Sequence, residues 1–284
     1  MLTEVTERQR KSYAAQGFLV VEHFLDEPEL QEWRAAVGRA VDKRGRQRFS
    51  FAPAGEEEED PPAARSKDEE YYDQVFTQRN NLWQTDESVR RLLLQPGLGK
   101  FVADLAGVDG VRIWHDQALI KEPYSNPTAF HLDVPYWSFT SADAITIWLA
   151  LDDATLENGC LYYVPGSHLA RKFDNVGITS RLGSLFEVYP EWADVASVPC
   201  PVSAGGGLFH NGLTFHGAGA NMTPGRRRAM TCAYMPEGAT FNGTRNVLPP
   251  DYFRSLKIGQ VLNNEAQNPL VYSRHRDAQA GSIA

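Results

Sequence analysis

Cysteine is scarce in this chain. Cys160, Cys200 and Cys232 are the whole complement, far apart, odd in number and without a Cys-X-X-Cys pair. That excludes zinc-ribbon and thioredoxin-type readings, and buried free thiols in a reducing compartment become the expectation. Long apolar runs are missing too. None reaches the roughly 18 residues that span a bilayer. The first residues, Met-Leu-Thr-Glu-Val-Thr-Glu-Arg, lack the apolar core of a signal peptide. A cytoplasmic protein with no membrane partner is expected. Positive charge is in deficit: 28 Lys and Arg against 36 Asp and Glu leave a net charge of -8. That argues against a nucleic-acid partner. There is no internal repeat, and no linker clean enough to divide the chain.

What is present is an ordinary globular composition, 42% hydrophobic and 23% charged, in a chain of 284 residues that can bury one large core. A single domain over 1–284 is expected, with 1–107 mostly helical, a β-rich core over 108–240 and a C-terminal extension over 241–284. Residues 6–16 read as a short helix ending near Gly17, and Phe18-Leu-Val-Val21 as an apolar strand. Asp26-Glu-Pro-Glu29 opens a helix to about Lys43, with an Asp N-cap, early acids and a proline in the first turn. Leu30, Trp33, Val37 and Val41 give it one apolar face. Residues 44–67 carry charge runs and prolines and read as a loop that could serve as a lid. Helix is expected over 68–80, 86–95 and 97–106. After Gly107 the texture turns to β: 111–121, 144–151, 161–164, 208–215 and 226–234 read as strands, Asn158-Gly159 as a tight turn and 169–197 as a long connection. Helices first and short strands with Gly and Pro turns second indicate an α+β chain around a jelly-roll or sandwich core.

Within that core, Phe130-His-Leu-Asp133 sets an imidazole and a carboxylate two residues apart. On a strand, positions i and i+2 share a face, so His131 and Asp133 can converge on one divalent ion. A second histidine would complete the two-histidine, one-carboxylate set that suits Fe(II). His23 and His275 lie outside the β region, His115 precedes the motif on its own strand, and His168 sits in a Pro-Gly-Ser-His turn. His210 and His216 remain. Asn221-Met-Thr-Pro-Gly225 is a turn by composition. If its flanks form a hairpin, His216 faces Arg227, and a guanidinium stands near the metal to hold the far carboxylate of an acid cosubstrate. His210 then reads as a barrel-surface or supporting histidine. Tyr136, Trp137 and Phe139 follow the motif and are expected to wall a pocket for a small organic substrate with apolar or ring character.

Several stretches match one family in combination. They are Gln117, Lys121 and Pro123; His131-Leu-Asp133; Trp148; Glu157-Asn-Gly-Cys-Leu-Tyr-Tyr-Val-Pro-Gly-Ser-His168; His216-Gly-Ala-Gly-Ala-Asn221; and Arg227, with Gly17-Phe-Leu-Val-Val21 near the start. In these the chain resembles the phytanoyl-CoA dioxygenase-like family of Fe(II)- and 2-oxoglutarate-dependent oxygenases. The resemblance implies a double-stranded β-helix (jelly-roll, cupin-like) core. It implies Fe(II) on His131, Asp133 and His216, the 5-carboxylate of 2-oxoglutarate on Arg227, Gln117 and Trp148 lining the cosubstrate pocket, and O2 as oxidant. The implied reaction is hydroxylation of a C–H bond of a small metabolite, with release of succinate and CO2. Desaturation, epimerisation and ring closure are alternatives, as is a cupin-like metalloenzyme that does not use 2-oxoglutarate. The carboxylate of Asp133 favours oxygen over halide transfer, because related halogenases carry a small residue there. In one departure, Ala218 stands where family members often have a small hydroxyl residue.

Overall fold

Helix α1 (Glu7–Gln16) starts on a reciprocal Thr6–Gln9 capping box and stops at Gly17, whose φ of 81° ends the helix in the left-handed region. Strand β1 (Phe18–Val21) follows, then helix α2 (Glu27–Arg44), where Asp26 and Glu29 cap one another. The computed structural model describes residues 1–49, 66–174 and 176–275. Most of the expected lid, residues 50–65, therefore lies outside the described residues. Next come α3 (Lys67–Asp73), β2 (Thr77–Asn80), α4 (Glu87–Leu93) and α5 (Pro96–Ala106). The remaining strands are β3 (Gly110–Lys121), β4 (Thr128–His131), β5 (Ile145–Ala150), β6 (Leu161–Tyr163), β7 (Val198–Cys200), β8 (Gly207–Asn211), β9 (His216–Ala218), β10 (Arg227–Pro236) and β11 (Leu270–Ser273).

Two sheets form, and neither closes into a barrel. The larger runs β1-β8-β5-β10-β3-β11, with β2 also on β3; the smaller runs β4-β9-β6-β7. Mixed helix and facing antiparallel sheets bear out the jelly-roll expectation. The outer face of the large sheet takes the helices: Trp33, Val37, Leu93, Phe101 and Val102 pack with Ile113, Ile147, Phe209 and Met230 in one buried cluster. Truncating a buried tryptophan such as Trp33 would cost roughly 3–5 kcal/mol. Strand alternation turns the other set, including Gln117, Thr146, Trp148 and Thr231, into the space between the sheets. The outer edge of β3 is shared by β2, from the helical N-terminal part, and β11, from the C-terminal extension. No described helix is long and apolar enough to cross a membrane.

Three expectations are corrected. Helix over 68–80 gives way after Asp73: residues 77–80 pair with 117–120 as β2, because the edge of β3 offers them unpaired backbone groups. The single strand over 208–215 is broken. Asn211 accepts the Leu213 N–H on its side chain and the Thr214 N–H on its carbonyl, and this turn carries the chain from one sheet to the other. The hairpin that would set His216 opposite Arg227 does not form. β9 pairs with β4 and β6, while β10 pairs with β3 and β5, and Arg227 stands opposite Lys121. The Asn221 amide donates to the carbonyls of Glu122 (2.9 Å) and Gly225 (2.7 Å), tying the connecting loop to the end of β3 rather than closing a hairpin.

Candidate metal centre

His131 ends β4 and His216 opens β9. They are cross-strand partners, with ring centroids 4.2 Å apart. Asp133 joins them by a route that strand alternation does not provide. Its φ of -84 and ψ of -53 are helical, at the start of a short 3-10 turn over 134–136, and its N–H donates to Gly212 O at 3.0 Å. This turn, rather than the period of an extended strand, brings the carboxylate round. Asp133 Oδ1 lies 3.9 Å from His131 Nε2 and 3.7 Å from His216 Nε2. The three donor atoms all lie within 4.8 Å of one another.

Each donor is oriented by a partner. His131 Nδ1 donates to Ala129 O and His216 Nδ1 to Thr214 O, both at 2.9 Å. A carbonyl only accepts, so both protons sit on Nδ1 and both Nε2 lone pairs are left for a metal. Asp133 Oδ2 accepts from Thr146 Oγ1 at 2.8 Å and from His210 Nε2 at 3.1 Å. His210 Nδ1 in turn lies 3.0 Å from Tyr163 Oη. His210 is therefore a support for the carboxylate, as expected, and Oδ1 is the oxygen left to bind. The bonds of Thr146 and Tyr163 to this group are not foreseen in the sequence. The available signal is that Thr146 shares its strand face with Trp148.

Burial dominates the electrostatics. Desolvation, with help from a neighbouring histidine, pulls both triad imidazoles down to about 4. Burial alone would raise Asp133. The surrounding histidines, His216 foremost, and the His210 hydrogen bond override it and hold the carboxyl well below the usual carboxylate range. Two neutral imidazoles and one carboxylate are the protonation states that a divalent ion requires.

The triad opens into a cavity of about 800 Å³. Arg227 reaches it from β10. The side chain is buried, Nε and Nη1 have no hydrogen-bond partner among the described residues, and Cζ lies 5.1 Å over the Trp148 ring. Buried guanidinium nitrogens without acceptors are costly, and a carboxylate ligand supplies what they lack. Burial, and then the Arg227 charge, push the amine of Lys121 down to about 6. Its Nζ donates to the carbonyls of Val75 (3.2 Å) and Asn126 (2.6 Å). Gln117, Trp148, Tyr136 and Trp137 line the cavity. Phe139 does not, which corrects its place as a wall residue. It packs one layer behind, its ring centroid 5.4 Å from that of Trp137 and 5.3 Å from that of Trp114. Ala218 lines the cavity without a hydroxyl, but Thr128 beside it and Thr231 across the cavity carry one. His168 stands apart, its Nε2 on Ala14 O. Two histidines and a carboxylate suit Fe(II), and the unpartnered guanidinium suits the distal carboxylate of a keto acid. The site fits both groups.

The chain matches the family model described as Phytanoyl-CoA dioxygenase (PhyH) over residues 13–229. It is 25% identical over 234 residues to the peroxisomal phytanoyl-CoA dioxygenase of Rattus norvegicus, covering 80% of this chain and 67% of that protein. Over 142 residues it is 32% identical to phytanoyl-CoA dioxygenase domain-containing protein 1 of Mus musculus, covering 46% and 47%. Among solved structures it is similar to SnoK, a non-heme alpha ketoglutarate dependent carbocyclase from nogalamycin biosynthesis. The TM-score is 0.75 at 29% identity, covering 95% and 98% of the two chains. It is also similar to the epimerase SnoN in complex with Fe3+, alpha ketoglutarate and nogalamycin RO, with TM-score 0.70 at 27% identity, covering 93% and 98%. The family match takes in the whole smaller sheet, all three triad residues and Arg227, and the chain belongs to the phytanoyl-CoA dioxygenase family of iron- and 2-oxoglutarate-dependent oxygenases.

Proposed function

We propose that this protein hydroxylates a neutral, ring-bearing small molecule, with His131, Asp133 and His216 holding Fe(II) and Arg227 holding the 5-carboxylate of 2-oxoglutarate. One observation carries the reading: the triad and the unpartnered Arg227 guanidinium share a single cavity. When bound, iron and 2-oxoglutarate would, with O2 as the oxidant, supply an oxidative decarboxylation that yields succinate, CO2 and the power to cleave a C–H bond. The chain supplies the rest. Two Nε2 atoms and Asp133 Oδ1 face one point, Thr146 and His210 hold Oδ2, and Trp148 backs Arg227. Orientation of this kind is what lets a positioned substrate lose one hydrogen rather than another.

The outer cavity suggests the substrate class. Phe49, Tyr72, Phe76, Tyr136 and Trp137 line it together with the acids Asp68, Glu69 and Asp73, and Arg48 is its one outer cation among the described residues. Aromatic walls take flat apolar rings. The acids would repel the phosphates of an acyl-CoA, so a free metabolite is favoured over a thioester. Ring closure or epimerisation is the second reading, supported by the likeness to SnoK and SnoN. The same triad serves either outcome, and substrate placement decides between them.

The test is an anaerobic titration of the protein with Fe(II) and 2-oxoglutarate. A weak visible charge-transfer band is expected, and Asp133→Ala or His216→Ala abolishes it. A folded wild-type protein without the band overturns the assignment. Succinate release across matched panels of neutral polycyclic compounds and acyl-CoA esters then tests the substrate class.

A further inference from the structure

A chain of hydrogen bonds runs along the cavity wall in one direction. Arg48 Nη2 donates to Tyr72 Oη at 3.0 Å, and its Cζ lies 5.1 Å over the same ring. Tyr72 Oη donates to Gln78 Oε1 at 3.1 Å, and Gln78 Nε2 donates to Gln117 Oε1. All four side chains line the cavity. Gln78 is registered opposite Leu119 and Asn80 opposite Gln117, so Gln78 and Gln117 are diagonal neighbours on one face of β2 and β3.

The direction follows from the donors and acceptors available. A guanidinium has no acceptor, so Tyr72 receives from Arg48, and its own proton goes to Gln78 Oε1, its one acceptor among the described residues. The carbonyl end of Gln78 is then occupied, and its amide end must donate to Gln117. This leaves Gln117 with its carbonyl satisfied and its Nε2 without a protein acceptor among the described residues. An amide that can flip presents either end to a ligand; here Arg48, at the head of the chain, determines which end. A dianionic keto acid needs donors, and an inverted Gln117 would turn its oxygen toward that anion.

We infer that Arg48, Tyr72 and Gln78 are positioning residues that hold the Gln117 amide as a hydrogen-bond donor to 2-oxoglutarate, an inference that rests on the cosubstrate reading above. The relay joins the mouth of the cavity to its interior, so a change at Arg48 reaches the cosubstrate through Gln117 and by no direct contact.

The test is a double-mutant cycle read as 2-oxoglutarate affinity, by calorimetry on the iron-loaded protein without oxygen. Tyr72→Phe keeps the ring under Arg48 but breaks the relay, and about fivefold weaker binding is expected. Gln117→Leu weakens binding at least as much. The double variant should bind no more weakly than Gln117→Leu alone, because the relay acts only through Gln117. Independent losses that multiply to about 25-fold in the double variant overturn the relay. So does unchanged affinity in Gln117→Leu. If Tyr72→Phe does not fold, Gln78→Met takes its place in the cycle. A wild-type protein that binds iron but no 2-oxoglutarate overturns the cosubstrate reading itself, and the relay with it.

Discussion

Arg227 and Lys121 are cross-strand partners, two buried basic side chains side by side with no carboxylate bonded to either among the described residues. Lys121 spends its protons on two carbonyls, whereas Arg227 keeps two nitrogens unsatisfied. Such an arrangement is unfavourable until an anion arrives.

Arg227→Ala should therefore weaken 2-oxoglutarate binding by about 100-fold or more, since each charge-assisted hydrogen bond contributes roughly 1.5–3 kcal/mol. Arg227→Lys should recover only part of the loss, because a point charge cannot reproduce the planar fork. The dependence of succinate release on 2-oxoglutarate concentration measures both. Unchanged dependence in Arg227→Ala would favour a metalloenzyme that does not use the keto acid.

Lys121 gives stability a pH dependence. Its amine titrates near 6 in the fold, against about 10.4 in an unfolded chain. Between those values the unfolded chain holds a proton that the folded chain lacks, so this group's contribution to stability rises with pH, by up to about 1.4 kcal/mol per unit. Below about 6 both states are charged and the cost is at its greatest and level. Measured against Lys121→Met, the wild type should therefore gain in urea midpoint between pH 7 and pH 9. A difference independent of pH would mean that the two carbonyls keep the ammonium charged.

The carboxylate's supports should matter less than the ligands but measurably. Thr146→Val and His210→Phe free Asp133 Oδ2 and should each lower metal affinity about 10–100-fold, as loss of a ligand's orienting partner does. His216→Ala should remove detectable binding. Competition of Co(II) or Fe(II) against a chelator ranks the three.

Two glycines should respond in opposite directions. Gly159 has φ of 94°, and a Cβ there would lie 2.7 Å from both Gly219 O and Lys121 Cδ. Gly159→Ala should cost about 2–3 kcal/mol through left-handed strain and overpacking. Gly38 sits in α2, and a Cβ added there would meet nothing within 4 Å, so Gly38→Ala should add about 0.4–1 kcal/mol. Thermal unfolding of the two variants checks both signs.

Much of the architecture is legible in short-range chemistry. The capping boxes at Thr6 and Asp26, the glycine at position 17 and the apolar run of 145–150 each name their own element. Which strands meet is a different question. The proximity of His216 and Arg227 in sequence suggests a hairpin, yet Asn211 and Asn221, through side-chain bonds within a turn and to distant carbonyls, send neighbouring segments to opposite sheets. The triad is readable because two of its members lie in one tetrapeptide. Its supports are not, because Thr146, Tyr163 and His210 gather around Asp133 only through pairing between strands. Phe139 defeats a local reading in a related way: it packs with Trp114, a residue of β3 that only strand pairing brings near.

The division of labour between the sheets has a mechanical consequence. Both imidazoles of the triad belong to the four-stranded sheet, whereas Arg227, Trp148 and Gln117 belong to the seven-stranded one. A keto acid gripped by iron at one end and by Arg227 at the other would act as a strut between two layers whose facing surfaces are lined with polar groups around a void. Filling that gap would brace the sandwich, and the protein emptied of cosubstrate would be the more compliant body, with its slack concentrated where the C–H bond must be aimed.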